Sequence, residues 1–455
     1  MLFERVFSGG LAHASYIIGD GGVAMVIDPR RDGKIYSEIA ARHTCMITHI
    51  FETHRNEDYV TGSSALADVC GAGIFHGAAL DFSYGKPVRE GDRFTFGSLT
   101  LGILETPGHT EESISLVLRD TKSGNDPYAV FCGDTLFAGD IARTDLSGPA
   151  RNTEMAGKIY DSITQKILPL GDGVIVCPAH GAGSVCAGSS IADHPFTTCG
   201  YEKATNPFLL MGKERFVTTR KTGSHPIPPY FRMMERYNRE GAPLRSMSDP
   251  VPLTAAGLDR VRAGRCQILD IRGPSGFAGG HIPGSISIWR NGISSFAGWF
   301  LTYDEPLVIV DDFDGQTGPV VLQLYRMGFD NIAGILAGGI GTWFKHAGTI
   351  AKCGTCSVRD LHDFVRSGTP YILDVRDAGN RHAFGHIRDS HHIFLGELPG
   401  RVGEIPPDRT IYVICDAGFK ASTAASILLQ KGFPTIINVL GGMTAWLQAG
   451  FGVEY

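Results

Sequence analysis

The sequence predicts an α/β protein: one large N-terminal unit followed by two smaller α/β units that resemble each other. Three observations carry that expectation. Short apolar runs of strand length, separated by turn residues, fill the N-terminal half and end in polar, chemistry-bearing residues. A set of short motifs then recurs once in the C-terminal half, the mark of a duplicated unit. The second copy holds a strand–cysteine–helix junction, a backbone arrangement suited to an anion.

Taken in order, Ser15-Tyr16-Ile17-Ile18 and Ala24-Met25-Val26-Ile27 predict strands, joined through the hairpin signal Gly19-Asp20-Gly21-Gly22 and stopped by Asp28-Pro29-Arg30. Ile35 to Ala41 predicts a short helix. The run Cys45 to Phe51 predicts a buried strand, and Val60 to Leu66 a turn feeding a helix. Arg93 to Leu101 predicts another hairpin; Ser113 to Leu118 and Tyr128 to Cys132 predict strands. The Pro/Gly-rich stretch from Lys221 to Pro229, which includes Gly223, Ser224 and His225, punctuates the chain. A helix follows from Tyr230 to Asn238, and residues 241 to 250, with Pro243 and Pro250, predict a domain boundary.

Composition narrows the function. A net charge of −6 with no basic stripe argues against nucleic acid, and no apolar run is long enough to span a bilayer. The start, Met1-Leu2-Phe3-Glu4-Arg5, lacks a signal-peptide layout, and the ten cysteines are scattered rather than framed. A cytoplasmic location is therefore expected. With 59 glycines among 455 residues, against a usual share of about 7%, tight turns and close backbone approaches are favoured over long helices.

The polar residues beyond the strands form a pattern. Thr53-His54-Arg55-Asn56-Glu57-Asp58-Tyr59 is followed by Thr106-Pro107-Gly108-His109-Thr110, then Cys132-Gly133-Asp134-Thr135-Leu136-Phe137, then Cys177-Pro178-Ala179-His180-Gly181. This series resembles the metallo-β-lactamase family, whose first motif is H-x-H-x-D-H. Asn56 and Tyr59 stand where that family usually has histidines. The resemblance implies an αββα sandwich over residues 1–245 and a metal site reduced to His54, His109 and Asp134. Two imidazoles and one carboxylate with open positions suit non-haem Fe(II). Three ligands and a water also suit catalytic zinc, so zinc stands as the alternative.

The repeat comes next. Ile268-Leu269-Asp270-Ile271-Arg272 recurs as Ile372-Leu373-Asp374-Val375-Arg376, Gly280-His281-Ile282 as Gly385-His386-Ile387, and Gly338-Gly339 with Trp343 as Gly441-Gly442 with Trp446. In the second copy the apolar run Ile411 to Ile414 ends in Cys415-Asp416-Ala417-Gly418-Phe419-Lys420, and Ala421 to Lys431 reads as a helix. Backbone N–H groups, the helix dipole and Lys420 should favour thiolate at Cys415, and Gly418 lets the loop curl. The loop matches the C-x-x-G-x-[RK] signature of the rhodanese sulfurtransferases, which the whole repeat resembles. A cysteine phosphatase would need arginine where Ala421 stands. In the first copy Asp311 falls opposite Cys415. Gln316 replaces the cation, and Asp312 and Asp314 repel anions, so this copy, 246–350, is expected to be catalytically silent beside the active copy, 351–455.

Other residues carry two readings each. Arg143, in an Arg143-Thr144-Asp145 run shared with persulfide dioxygenases, either holds a substrate carboxylate or braces its loop. Asp58 and Tyr59 are expected to orient ligands or contact substrate, and His180 to neighbour the site rather than ligate. Gly181-Ala182-Gly183-Ser184 offers N–H groups to substrate or makes a tight turn. Cys199 is placed in a polar loop, either relaying sulfur or inert; Cys353 and Cys356 are expected to be structural.

Together the two halves resemble persulfide dioxygenase–rhodanese fusion proteins. The resemblance implies one Fe(II) per chain, a low-molecular-weight thiol persulfide and O2 as substrates, and sulfite as product. Cys415 then interconverts persulfide, sulfite and thiosulfate in sulfide detoxification, and a homo-oligomer is expected. The alternatives are a zinc thioester hydrolase of glyoxalase II type and a non-oxidising sulfur carrier or persulfide sensor.

Overall fold

A computed structural model describes residues 1–185, 191–222, 226–245, 247, 249–313 and 317–455. Gly223, Ser224 and His225 of the punctuating stretch, and Asp314 and Gln316 of the first copy, lie outside the described residues. The chain divides into two compact units: Met1–Met247 with Tyr325–Gly328, and Ser248–Leu324 with Phe329–Tyr455. Among the described residues no helix is long and apolar enough to cross a membrane.

The first unit is built on two facing six-stranded sheets. One runs in chain order from Leu2–Ser8 through His13–Asp20, Val23–Ile27, Met46–Phe51 and Gly73–Gly77 to Lys86–Val88. The other has the order Thr197–Thr198, Ile175–Pro178, Pro127–Gly133, Ile114–Asp120, Leu99–Glu105, Arg93–Phe96. Strand alternation explains the layering. Ala14, Tyr16 and Ile18 of one sheet and Leu116, Leu118, Ala129 and Phe131 of the other meet in the central core. Their neighbours turn outward: Ile17, Ala24 and Val26 under the helices Lys34–Arg42 and Ser63–Cys70, Val117 and Val130 under the helix Asn152–Asp161. Helices thus cover both outer faces, the expected αββα order. A one-residue slip in Ile114–Asp120 would exchange its two apolar faces, so burial on both sides pins the register.

Two local expectations change. Met46–Phe51 is only partly buried, since Met46 is 71% exposed at its entry end. Cys199 is buried and opens the helix Cys199–Thr205, with the Thr198 side chain accepting from Tyr201 N–H as its cap, so it is not in a polar loop.

The second unit contains two five-stranded sheets of the same order. The first is Pro252–Leu253, Ile332–Leu336, Leu307–Val310, Gln267–Asp270, Ile286–Ser287; the second is Gly354–Cys356, Ile436–Val439, Ile411–Ile414, Tyr371–Asp374, His391–His392. Every pairing in both is parallel. The repeated Asp-x-Arg is architectural: Arg272 Nη2 bonds Asp270 at 2.7 Å and the Gly280 carbonyl at 2.8 Å, while Arg376 Nη2 bonds Asp374 at 2.7 Å and the Gly385 carbonyl at 2.8 Å. The repeated Gly-Gly is a close approach. A Cβ at Gly339 would lie 2.6 Å from the Asp311 carbonyl oxygen, and one at Gly442 2.3 Å from that of Cys415.

Candidate functional site

Each sequence-predicted ligand stands on a loop just beyond a strand. His54 follows Met46–Phe51, His109 lies between Leu99–Glu105 and Ile114–Asp120, and Asp134 directly follows Pro127–Gly133. All three are buried, with one donor atom each, and these atoms lie within 4.8 Å of one another. Asp134 Oδ2 is 3.8 Å from His54 Nε2 and 3.6 Å from His109 Nε2. None of the three atoms makes a hydrogen bond. A buried polar atom left unsatisfied costs about 1–3 kcal/mol, and one shared cation relieves all three.

The opposite ring nitrogens set up this arrangement. His109 Nδ1 donates to the Arg143 carbonyl at 2.9 Å, which can only accept. His54 Nδ1 donates to Thr53 Oγ1 at 2.9 Å, and that hydroxyl donates to Asp28 at 2.7 Å. Both rings therefore keep a proton on Nδ1 and leave Nε2 as the atom that faces the pocket; the Glu57 and Asp134 carboxylates raise His109 despite its burial, so a metal there displaces a proton. Burial pushes His54 down to about 4, so its ring is neutral, the form that ligates. Gly133 has a φ of +54°, and a Cβ there would lie 2.4 Å from Thr53 Oγ1, so the strand can end beside this relay only as glycine.

Asp58 and His180 back the trio rather than converge with its donor atoms. His180 Nδ1 is 2.7 Å from Asp134 Oδ1, and its Nε2 is 3.0 Å from Asp58 Oδ2. Burial opposes charge on this ring, yet the Asp134 and Asp58 carboxylates hold it well above the usual histidine range. Tyr59 is buried against His13, ring centroids 4.0 Å apart, and its hydroxyl makes no hydrogen bond. Among the described residues no second set of three donors converges.

Sequence reading missed two groups here. His13 is fully buried with both ring nitrogens unpartnered, and a β-bridge to His180 brings it to the site. No sequence signal links residues so far apart. Glu57 Oε1 is held by Arg55 at 3.2 Å, while Oε2 lies 3.5 Å from His109 Nε2. Burial raises this carboxyl, but His109 and Arg55 more than offset that and hold it below its ordinary value. An acidic residue inside the first motif was the available signal.

Of the two readings of Arg143, the geometry favours bracing. Its guanidinium grips Asp145 at 2.7 and 2.9 Å and is 3% exposed, so it is not free for a substrate carboxylate. Gly181 to Ser184 form a turn closed by Ser184 N–H on the Gly181 carbonyl at 3.3 Å.

In the second unit Cys415 lies between the strand Ile411–Ile414 and the helix Phe419–Gln430. Its sulfur accepts from the N–H groups of Gly418 at 3.1 Å and Ala421 at 3.4 Å, and Gly418 has the φ of +95° that the curl requires. The expected help from Lys420 is redirected. Its ammonium sits 2.8 Å from Asp416 and 3.7 Å from Asp377. Burial then pushes the Cys415 thiol up despite the backbone N–H groups. At the same place in the first copy, Asp311 is paired with Arg290. Burial likewise pushes Cys199, Cys353 and Cys356 up to about 11 each.

Comparison with known proteins covers both units. The metallo-beta-lactamase superfamily model matches residues 8–180, and the rhodanese-like domain model matches 255–346 and 357–449. The crystal structure of a metallo-beta-lactamase from Staphylococcus aureus is 31% identical, covers 74% of this chain and 99% of its own, and has a TM-score of 0.66. Persulfide dioxygenase ETHE1, mitochondrial, of Bos taurus is 27% identical over 240 residues, 50% of this chain and 84% of that protein. Hydroxyacylglutathione hydrolase of Francisella philomiragia is 29% identical over 184 residues, 40% of this chain and 68% of the relative.

Proposed function

The chain belongs to the metallo-β-lactamase superfamily and carries two rhodanese-like domains, and from that premise we propose that it is a persulfide dioxygenase coupled to a sulfurtransferase. The observation that carries this reading is the convergence of His54 Nε2, His109 Nε2 and Asp134 Oδ2, the one set of three donor atoms among the described residues to lie within 4.8 Å of one another, beside an Asp58–His180 ion pair at 3.0 Å. Such a site suits one Fe(II) rather than two zinc ions. The likeness to the bovine persulfide dioxygenase, over most of that protein's length, supports it.

Fe(II) bound there would supply the redox chemistry that joins O2 to the outer sulfur of a thiol persulfide, R–S–SH, with both oxygen atoms ending on that sulfur. His54, His109 and Asp134 would hold the metal. Thr53 and the Arg143 carbonyl fix the two imidazoles so that their lone pairs need no reorganisation. Tyr59 and His13 wall the pocket with rings and keep water from its inner side. Hydrolysis then releases sulfite and the thiol. In the second copy, Cys415 takes a sulfane sulfur into the Gly418 and Ala421 N–H cradle and passes it between persulfide and sulfite, giving thiosulfate. One chain with both sites keeps sulfite near its acceptor at a raised effective concentration.

The test is O2 uptake and sulfite formation by Fe(II)-loaded protein given a thiol persulfide. His109→Ala should abolish both while leaving persulfidation of Cys415 intact. No uptake by the loaded wild type sinks the dioxygenase reading. The hydroxyacylglutathione hydrolase likeness keeps thioester hydrolysis as the rival, and two zinc ions per chain would favour it.

A further inference from the structure

Glu57 takes the metal pocket past a three-ligand description. Its side chain is fully buried, and Oε2 makes no hydrogen bond. That oxygen lies 3.5 Å from His109 Nε2, close to the 3.6 and 3.8 Å that separate the accepted donor atoms. It stands outside the compact trio, so it enters the pocket on the His109 side rather than at its centre. The opposite oxygen is anchored: Arg55 holds Oε1 at 3.2 Å and shares its charge with Glu235, also at 3.2 Å. The side chain is thereby oriented with its unpaired oxygen inward.

The loop gives a reason for a carboxylate here. Asn56 occupies the position of a lost histidine, and its Nδ2 turns back to the His54 carbonyl at 3.4 Å. An imidazole donor has gone from the loop, and one residue on, a carboxylate reaches the same pocket. A buried carboxylate oxygen that makes no hydrogen bond is costly unless a cation satisfies it. The ring nitrogen beside it, His109 Nε2, is itself one of the three converging metal donors, so the cation within reach is the metal.

We propose that Glu57 is a fourth protein donor to the metal held by His54, His109 and Asp134, making the resting site one of two histidines and two carboxylates. Two carboxylates balance the charge of a divalent ion in a buried site. An anionic substrate entering such a site competes with Glu57 for its position, and Arg55 is the partner to which the displaced carboxylate can return.

The proposal rests on the one-metal reading of the pocket, and its test needs neither persulfide nor O2. Full-length apoprotein is titrated anaerobically with Co(II), whose visible absorption reports donor number and charge. Fe(II) affinity is measured by competition with a chromophoric chelator, and melting of each apoprotein checks the fold. Glu57→Gln and Glu57→Ala should both weaken Fe(II) binding by about tenfold or more and change the Co(II) bands. Glu235→Gln, which removes only the outer partner of Arg55, should leave the affinity within about twofold and the bands as they were. Unchanged affinity or unchanged bands in the two Glu57 variants overturns the proposal. Wild type that binds Fe(II) but takes up no O2 with persulfide would sink the dioxygenase reading and leave this one standing.

Discussion

The strand Leu307–Val310 of the first rhodanese-like copy and the strand Ile411–Ile414 of the second occupy the same position in sheets of the same order, and each hands over directly to the residue that decides what its copy can do. In the first that residue is Asp311, neutralised by Arg290; in the second it is Cys415, its sulfur under two backbone N–H groups. The Asp-x-Arg pair and the Gly-Gly approach are the same in both. Features common to the two copies therefore belong to the scaffold, and chemistry is confined to the few residues after one strand.

The sharpest way to break that division is at the tip. Cys415→Ser should drop sulfur transfer by about a thousandfold or more without moving the melting temperature, read from thiosulfate formed from persulfide and sulfite. Asp311→Cys in that background should restore nothing, because the neighbouring Asp312 carboxylate opposes both a thiolate and an incoming sulfur anion there. Recovery of transfer would mean that the silent copy lacks only its nucleophile.

The next effect lies in the scaffold. Arg272→Met and Arg376→Met each strand a buried aspartate, and each should cost about 3–5 kcal/mol in chemical denaturation. Similar costs confirm shared architecture, whereas a loss of transfer without a loss of stability at Arg376 would move that residue into the site.

Smaller is the pH effect at Cys415. A raised thiol pKa leaves mostly S–H at neutral pH, so alkylation by iodoacetamide should climb about tenfold per pH unit and show no plateau in the range of an ordinary thiol. Asp416→Asn frees Lys420, lowers the pKa and should speed alkylation at pH 7 by about threefold to tenfold; a slower rate contradicts the pairing. The smallest expected change is at the contact between copies. Ser287→Ala removes a hydrogen bond to Ser422 and should cost about 0.5–1.5 kcal/mol, measured by denaturant midpoint.

Much of this was legible in the residues. His54, His109 and Asp134 could be picked out because a ligand placed just past a strand inherits its position from backbone periodicity. The tandem repeat was legible for the same reason: Asp270 with Arg272 and Asp374 with Arg376 sit at fixed offsets from buried runs. Other features depended on side-chain direction or on distant partners. Glu57 turns inward only because Arg55 pulls one oxygen and leaves the other. His13 reaches the site through a bridge to His180. The signature points Lys420 at Cys415, whereas Asp416, in the loop before the helix, takes its ammonium at 2.8 Å. Cys199 reads as a loop residue because its polar neighbours conceal a capped helix start.

The helix Phe419–Gln430 carries one more consequence. From Ala421 to Leu428 every residue is buried. Ser287 Oγ meets Ser422 Oγ at 2.9 Å, Ser287 N–H donates to Ser426 Oγ at 3.1 Å, and Trp289 lies on Phe419 with centroids 5.4 Å apart. The copy without a nucleophile is thus a splint laid along the helix whose first amides hold the sulfur. Cutting it away would loosen a reaction in which none of its own atoms takes part.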